Sequence, residues 1–205
     1  MFEWITTVKP EWISAVFTAV TAISVLILWK QVTGEHERGR REKAIELMQM
    51  WVTSMISLSP GINFAGKLVE RLNEAQCEAL WHGRGLELDD DFEHLVSGAL
   101  TAVGHQYTCD KRPGKIRLSD KEAMLVRSQI LIHLNMLETV ATAWRHNVAD
   151  RLIIEQEFHP TISPKTNHFT LETFRLVTGV YPSIALFVED FKSRRQHGVS
   201  KKRVA

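Results

Sequence analysis

Asp89, Asp91 and Glu93 alternate in the segment LELDDDFEHLVSGAL, the spacing at which a calcium-binding loop presents its first carboxylates. The sixth position of such a loop must turn sharply, and here it is His94 instead of glycine. The twelfth is Leu100, which offers no bidentate carboxylate. The same acids are explained by a helix start, with Asp90 as N-cap and Glu93 reaching back over Phe92, Leu95, Val96 and Leu100. Cys77, His82, His105 and Cys109 carry zinc-type ligand atoms. Only His105 and Cys109 have paired spacing, so no metal is assigned and Cys77 is read as a small core residue. No phosphate-binding glycine loop, HExxH, CxxC or GxSxG occurs, and no cofactor is expected. Two groups remain. Arg127 and His133 are separated by five residues, which on one helix sets them about 120° apart. Asn135 and Glu138 interrupt an apolar stretch, and a buried carboxylate needs a partner. Arg145, two turns on, reaches Glu138 only partly, so a basic or amide group from another helix is the expected partner.

The elements that position these residues read as helices. Ile45, Met48, Val52 and Met55 have the spacing of one helical face, ended by Ser59-Pro60-Gly61. A second helix is expected over Asn63 to Leu80, with Leu68, Leu72 and Cys77 inward. YTCDKRPGKIRLSD reads as a loop, and Ser119 or Asp120 caps the longest helix of the body, one side of which carries Leu125, Ile132, Met136 and Val140. After Asp150 comes a short helix ended by Pro160, then a final helical stretch kinked or split near Gly179 and Pro182. The body is all-α, with strand signals nearly absent. Two cysteines are too few for a disulfide scaffold and suit a reducing compartment.

WISAVFTAVTAISVLILW, Trp12 to Trp29, is free of charge over 18 residues, about 27 Å of helix against a hydrocarbon core of about 30 Å. Trp12 and Trp29 fit the two interfacial belts, and Lys30 can snorkel. Lys9 stands alone before the run, while Lys30, Arg38, Arg40, Arg41 and Lys43 follow it. The positive-inside rule therefore places the N-terminus outside and the body in the cytoplasm. Ala15, Thr18, Ala19 and Ala22 give small-residue pairs one turn apart, the spacing of associating spans, so a homo-oligomer through the helix is expected. The expected organisation is 1–11 extracytoplasmic, 12–32 transmembrane, 33–43 a charged juxtamembrane segment, 44–195 the helical domain and 196–205 a basic tail. Residues 44–191 hold 13 Lys/Arg against 19 Asp/Glu, whereas six bases and no acids follow from Lys192. Such a tail suits an anionic leaflet; it lacks interleaved aromatics, so nucleic acid is not an expected partner.

The stretch LNMLETVATAWRHNVADRLIIEQEF resembles a large group of small bacterial proteins with one N-terminal span and a helical cytoplasmic domain. Their L-N-x-L-E core, A-x-A stretch, Asp and closing Phe correspond to Leu134, Asn135, Leu137, Glu138, Ala141, Ala143, Asp150 and Phe158, and the likeness also touches EAQCEALWHG near Cys77. It implies the fold and the anchor in a bacterial inner membrane and brings no activity with it. Arg127 and His133 resemble the motif of HEPN-type ribonucleases, in which two protomers pair their residues on RNA; Ser128 departs from it. The alternative for that pair is an exposed His133 and an ion-paired Arg127. The leading expectation is a membrane-anchored domain that binds or senses a protein partner, by analogy in bacterial stress or phage defence. A membrane-perturbing effector built on clustered spans and the ribonuclease are the other readings.

Overall fold

The computed structural model describes residues 10–107, 110–162 and 170–202; of these, the side chains of 10–19, 55–59, 110–112, 159–162 and 194–202 are not described. The chain is mostly helical, as expected, at 77% helix. One element dominates. Helix α1 runs unbroken from Pro10 to Val69, through Ser59-Pro60-Gly61, where the sequence predicted a stop. Proline removes one helical hydrogen bond. Here Leu47, Ile62, Ala65 and Leu68 are buried on both sides of Pro60, so packing holds the helix across the missing bond. The inward face is also one step from the predicted one. Ala44 and Leu47 are buried, Met48 and Trp51 pack partly, and Ile45 and Val52 are exposed.

The predicted helix over 63–80 is two pieces. A tight turn follows Val69, and Asn73 opens α2 (Glu74–Trp81) with a capping box, accepting from Gln76 N–H at 2.9 Å while its own N–H donates to the Gln76 side chain at 3.1 Å. Leu68, Leu72 and Cys77 are inward, as expected.

The loop reading of 107–120 is corrected by a small antiparallel sheet, β1 (Leu86–Asp89), β2 (Asp110–Arg112) and β3 (Lys115–Leu118), in the order β1-β3-β2. Leu86 faces Leu118 and Leu88 faces Ile116, and these four side chains are buried. Alternation over only three or four residues per strand is too short to stand out in the sequence. Gly114, at φ 71°, closes the β2–β3 turn with a backbone that other residues resist.

Asp90–Phe92 form one 3-10 turn before α3 (Glu93–Thr101). The predicted Asp90–Glu93 capping box is not made: Asp89 occupies the cap position without a side-chain bond, and Asp91 pairs with Arg71, whose guanidinium lies 4.2 Å from the Phe92 ring centroid. Of the two predicted caps, Ser119 or Asp120, Ser119 opens helix α4 (Asp120–Arg145), and Glu122 completes a capping box that the sequence reading did not include. Its buried face carries Val126, Ile130, Leu134, Leu137 and Val140, with Leu125 only partly covered and Ile132 exposed. Helix α5 (Arg151–Ile162) passes Pro160, and the final stretch is split into α6 (Glu172–Thr178) and α7 (Pro182–Lys202). The predicted basic tail is helical to Lys202, although its side chains from Arg194 onward are not described.

The core lies where α1 crosses α3 and α4, and there the helices approach too closely for a side chain at Gly98. A β-carbon added to it would sit 2.6 Å from the Phe64 ring. Gly98→Ala gains about 1 kcal/mol of helix propensity but overpacks that contact. The expected net loss is about 1–2 kcal/mol, read as a lower urea midpoint at unchanged slope.

Candidate functional site

Helix α4 carries Asn135, Glu138 and Thr142 at steps of three and four, one face of the helix. Helix α7 begins at that face. Its first residue, Pro182, has no N–H, so the first donors lacking intrahelical partners are those of Ser183 and Ile184. A Ser, Thr, Asn or Asp before Pro182 would satisfy them, but the preceding residue is Tyr181. Glu138 supplies the acceptors from 45 residues away. Ser183 N–H donates to its Oε1 at 3.0 Å and Ile184 N–H to its Oε2 at 2.9 Å. Of the basic or amide partner expected from another helix, the structure supplies a pair of main-chain amides, and the carboxylate sits at the positive end of the helix dipole. Around it, Thr142 donates to Ser183 Oγ at 3.0 Å and Tyr181 Oη donates to Asn135 Oδ1 at 3.2 Å.

Tyr181 and Leu171 bracket α6, and both hold left-handed backbone, with φ 63° and 48°. Such positions cost about 1–2 kcal/mol each for residues with a β-carbon. Leu171 N–H donates to Glu70 Oε1 at 2.8 Å, one residue past the end of α1. Between them Arg175 is buried, 8% exposed, with Nε donating to Thr170 O at 2.6 Å. Burial lowers the pKa of its guanidinium, opposed by Glu172, Glu138 and Glu70. Burial raises the Tyr181 phenol, Glu138 adds to that, and Arg127 opposes it. Glu70, Arg175, Tyr181 and Ser183 had no sequence signal pointing to them, apart from the uncapped helix start at Tyr181-Pro182.

The remaining candidates go to separate places. The Arg127 guanidinium lies 5.0 Å from the Trp81 ring, which meets Phe174 edge-on at 6.1 Å. His133 is buried instead, 5% exposed, with its ring 5.6 Å from Trp51. Neither matches the exposed histidine and ion-paired arginine weighed as the alternative: Arg127 forms no ion pair among the described residues. Arg145 is exposed at the end of α4. Asp150 caps α5, accepting from Leu152 N–H at 3.0 Å, and ties it to α1 by donating its own N–H to Arg40 O at 3.0 Å. Its carboxylate also stands 3.6 Å from Arg41.

Cys77 is fully buried, and burial, with Glu70 and Glu74, raises its thiol to about 11, so it stays protonated and inert at neutral pH. Cys109 is outside the described residues, His105 lies 3.8 Å from Glu122, and no cluster of three metal-binding side chains occurs among the described residues.

Of the predicted anchor, Trp12, Ala15, Thr18 and Ala19 have side chains outside the described set, while Ala22, Trp29 and Lys30 are exposed on α1. Among the described residues no helix is long and apolar enough to cross a membrane; residues 12–19 of the apolar run are not among those whose side chains are described. No protein-family model matches the chain, and no curated protein and no solved structure does either.

Proposed function

We propose that the chain is a single-pass inner-membrane protein, anchored by the N-terminal half of α1, whose helical domain faces the cytoplasm and binds or senses a protein partner. The observation that carries the anchor is a helix with no covered side. Every residue from Val20 to Gly39 is exposed, including five consecutive apolar residues, Val25 to Trp29, at 53–70%. Successive residues turn by about 100°, so these five surround the helix. Docking against a protein surface would cover one face, whereas a bilayer covers all of them. Transfer of Val20, Ile23, Val25, Leu26, Ile27, Leu28 and Trp29 out of water is favourable by on the order of 10 kcal/mol. The orientation rests on the bases after Trp29, and self-association through Ala15, Thr18, Ala19 and Ala22 belongs to the same proposal.

Binding is favoured over catalysis by what the motif residues do. Asn135, Glu138 and Asp150 are engaged in holding Tyr181, α7 and α5.

The test is alkaline carbonate extraction of membranes from bacteria expressing the full chain. The unaltered protein is expected to stay with the pellet. Ile23→Arg combined with Leu26→Arg adds about 5–7 kcal/mol to insertion and should move most of it to the supernatant. Release of the unaltered protein by carbonate would overturn the anchor.

A further inference from the structure

Helix α6 has seven residues and strained backbone at both borders, Leu171 at φ 48° and Tyr181 at φ 63°. Strain of this kind persists only where the surroundings enforce it. Two carboxylates from other elements do so here. Glu70 accepts from Leu171 N–H at 2.8 Å, and Glu138 accepts from Ser183 and Ile184 N–H at the far border. The two differ in setting. Glu138 is half-buried and its environment includes Thr142 and Asn135, whereas Glu70 is exposed and stands directly after the last residue of α1. Under α6, Phe174 is fully buried and meets Trp81 of α2. Its outer side carries Leu176, 76% exposed, the most exposed large apolar residue described.

We propose that α6 is a releasable clasp, sprung by its two left-handed borders and latched to the end of α1 by the Glu70–Leu171 hydrogen bond. A shift of α1 along or about its axis carries Glu70 with it, because Leu68 and Val69 are buried on the same terminal turn. Loss of that bond leaves the left-handed backbone of Leu171 held only by its buried side chain and by the Arg175 N–H that donates to its carbonyl at 2.9 Å. Its relaxation frees the α6 border and uncovers the Phe174–Trp81 contact, while the Glu138 cap keeps α7 in place. The clasp thus converts displacement of a long helix into exposure of apolar surface 101 residues away in sequence. What displaces α1 rests on the anchored reading above; the latch itself does not.

The test is hydrogen–deuterium exchange of the full chain in detergent micelles, comparing it with Glu70→Ala and Glu70→Gln. Glu70 is exposed, so neither variant is expected to unfold. Removing a charge-assisted hydrogen bond predicts exchange about tenfold faster or more over 171–181 in Glu70→Ala, and a smaller acceleration in Glu70→Gln, which keeps an oxygen acceptor. Amides of α3 and α4 should keep their rates. Equal acceleration in α3 and α4 would make Glu70 a contributor to global stability and overturn the clasp. Unchanged exchange over 171–181 would overturn it too. Carbonate extraction of the same Glu70 variants keeps the two readings apart, since the latch can fail while the protein remains in the membrane.

Discussion

Glu138→Ala is expected to destabilise the domain by about 2–4 kcal/mol, although Glu138 is neither fully buried nor part of an ion pair among the described residues. The reason is the start of α7. Loss of a cap costs about 0.5–2 kcal/mol, and a donor left without a partner away from water costs about 1–3 kcal/mol. Both Ser183 and Ile184 would lose their acceptor, and Ser183 and Ile184 are themselves buried. Pro182 admits no alternative first donor, and Tyr181 cannot cap from within the chain. Glu138→Gln keeps one oxygen but turns an NH2 group toward the second amide, so about half of the loss should remain. Chemical denaturation followed by circular dichroism measures both. A midpoint in Glu138→Ala equal to that of the unaltered protein would mean that water caps α7 unaided, and Glu138 would then need another explanation.

The sequence signalled Glu138 and Asn135 as out of place and placed a partner on another helix without naming it, for a physical reason. Their partners are backbone amides and a phenol 45 and 46 residues away, and a main-chain donor leaves no trace in composition or periodicity. Local chemistry was legible wherever it was self-contained. The cap at Ser119, one of the two predicted, and the break at Gly179 and Pro182 each rest on residues within four of one another and appear in the structure. Elements decided by tertiary packing were not. Pro60 stands inside α1 because buried residues on either side outweigh one lost hydrogen bond. Ile45 and Val52 are large enough to dominate a periodicity reading, yet the core takes Ala44 and Leu47, and Ala44 is small enough to escape such a reading while permitting close approach to neighbouring helices. The resemblance to membrane-anchored bacterial proteins singled out Leu134, Leu137, Ala141 and Phe158, and these are buried, while its polar members hold helix ends. The polar side chains of that motif, Asn135, Glu138 and Asp150, all hydrogen-bond within the fold.

Phe187→Ala should cost about 3–5 kcal/mol, the range for deleting a buried aromatic side chain. Phe187 is fully buried on α7, between Trp144 at 4.9 Å and Phe191 at 5.0 Å, the latter edge-to-face at 87°. Glu138 fixes where α7 starts, but a cap controls only its first turn. One turn on, Phe187 against Trp144 fixes the direction in which the helix leaves α4. The two contacts are neighbours on the same helix pair, so their losses should not add: the double variant is expected to lose less than the sum of the single ones. Trp144 also donates to Glu155 of α5 at 2.9 Å and carries Arg151 4.7 Å from its ring, so loosening Phe187 reaches the helix that Asp150 ties to α1. Urea titration read by tryptophan fluorescence and by helical circular dichroism separates the outcomes. Coincident transitions at a lower midpoint indicate that α7 is part of one cooperative core. A fluorescence transition preceding the loss of helix would instead make α7 a unit that detaches by itself, and the cap at Glu138 would then be the contact that holds it.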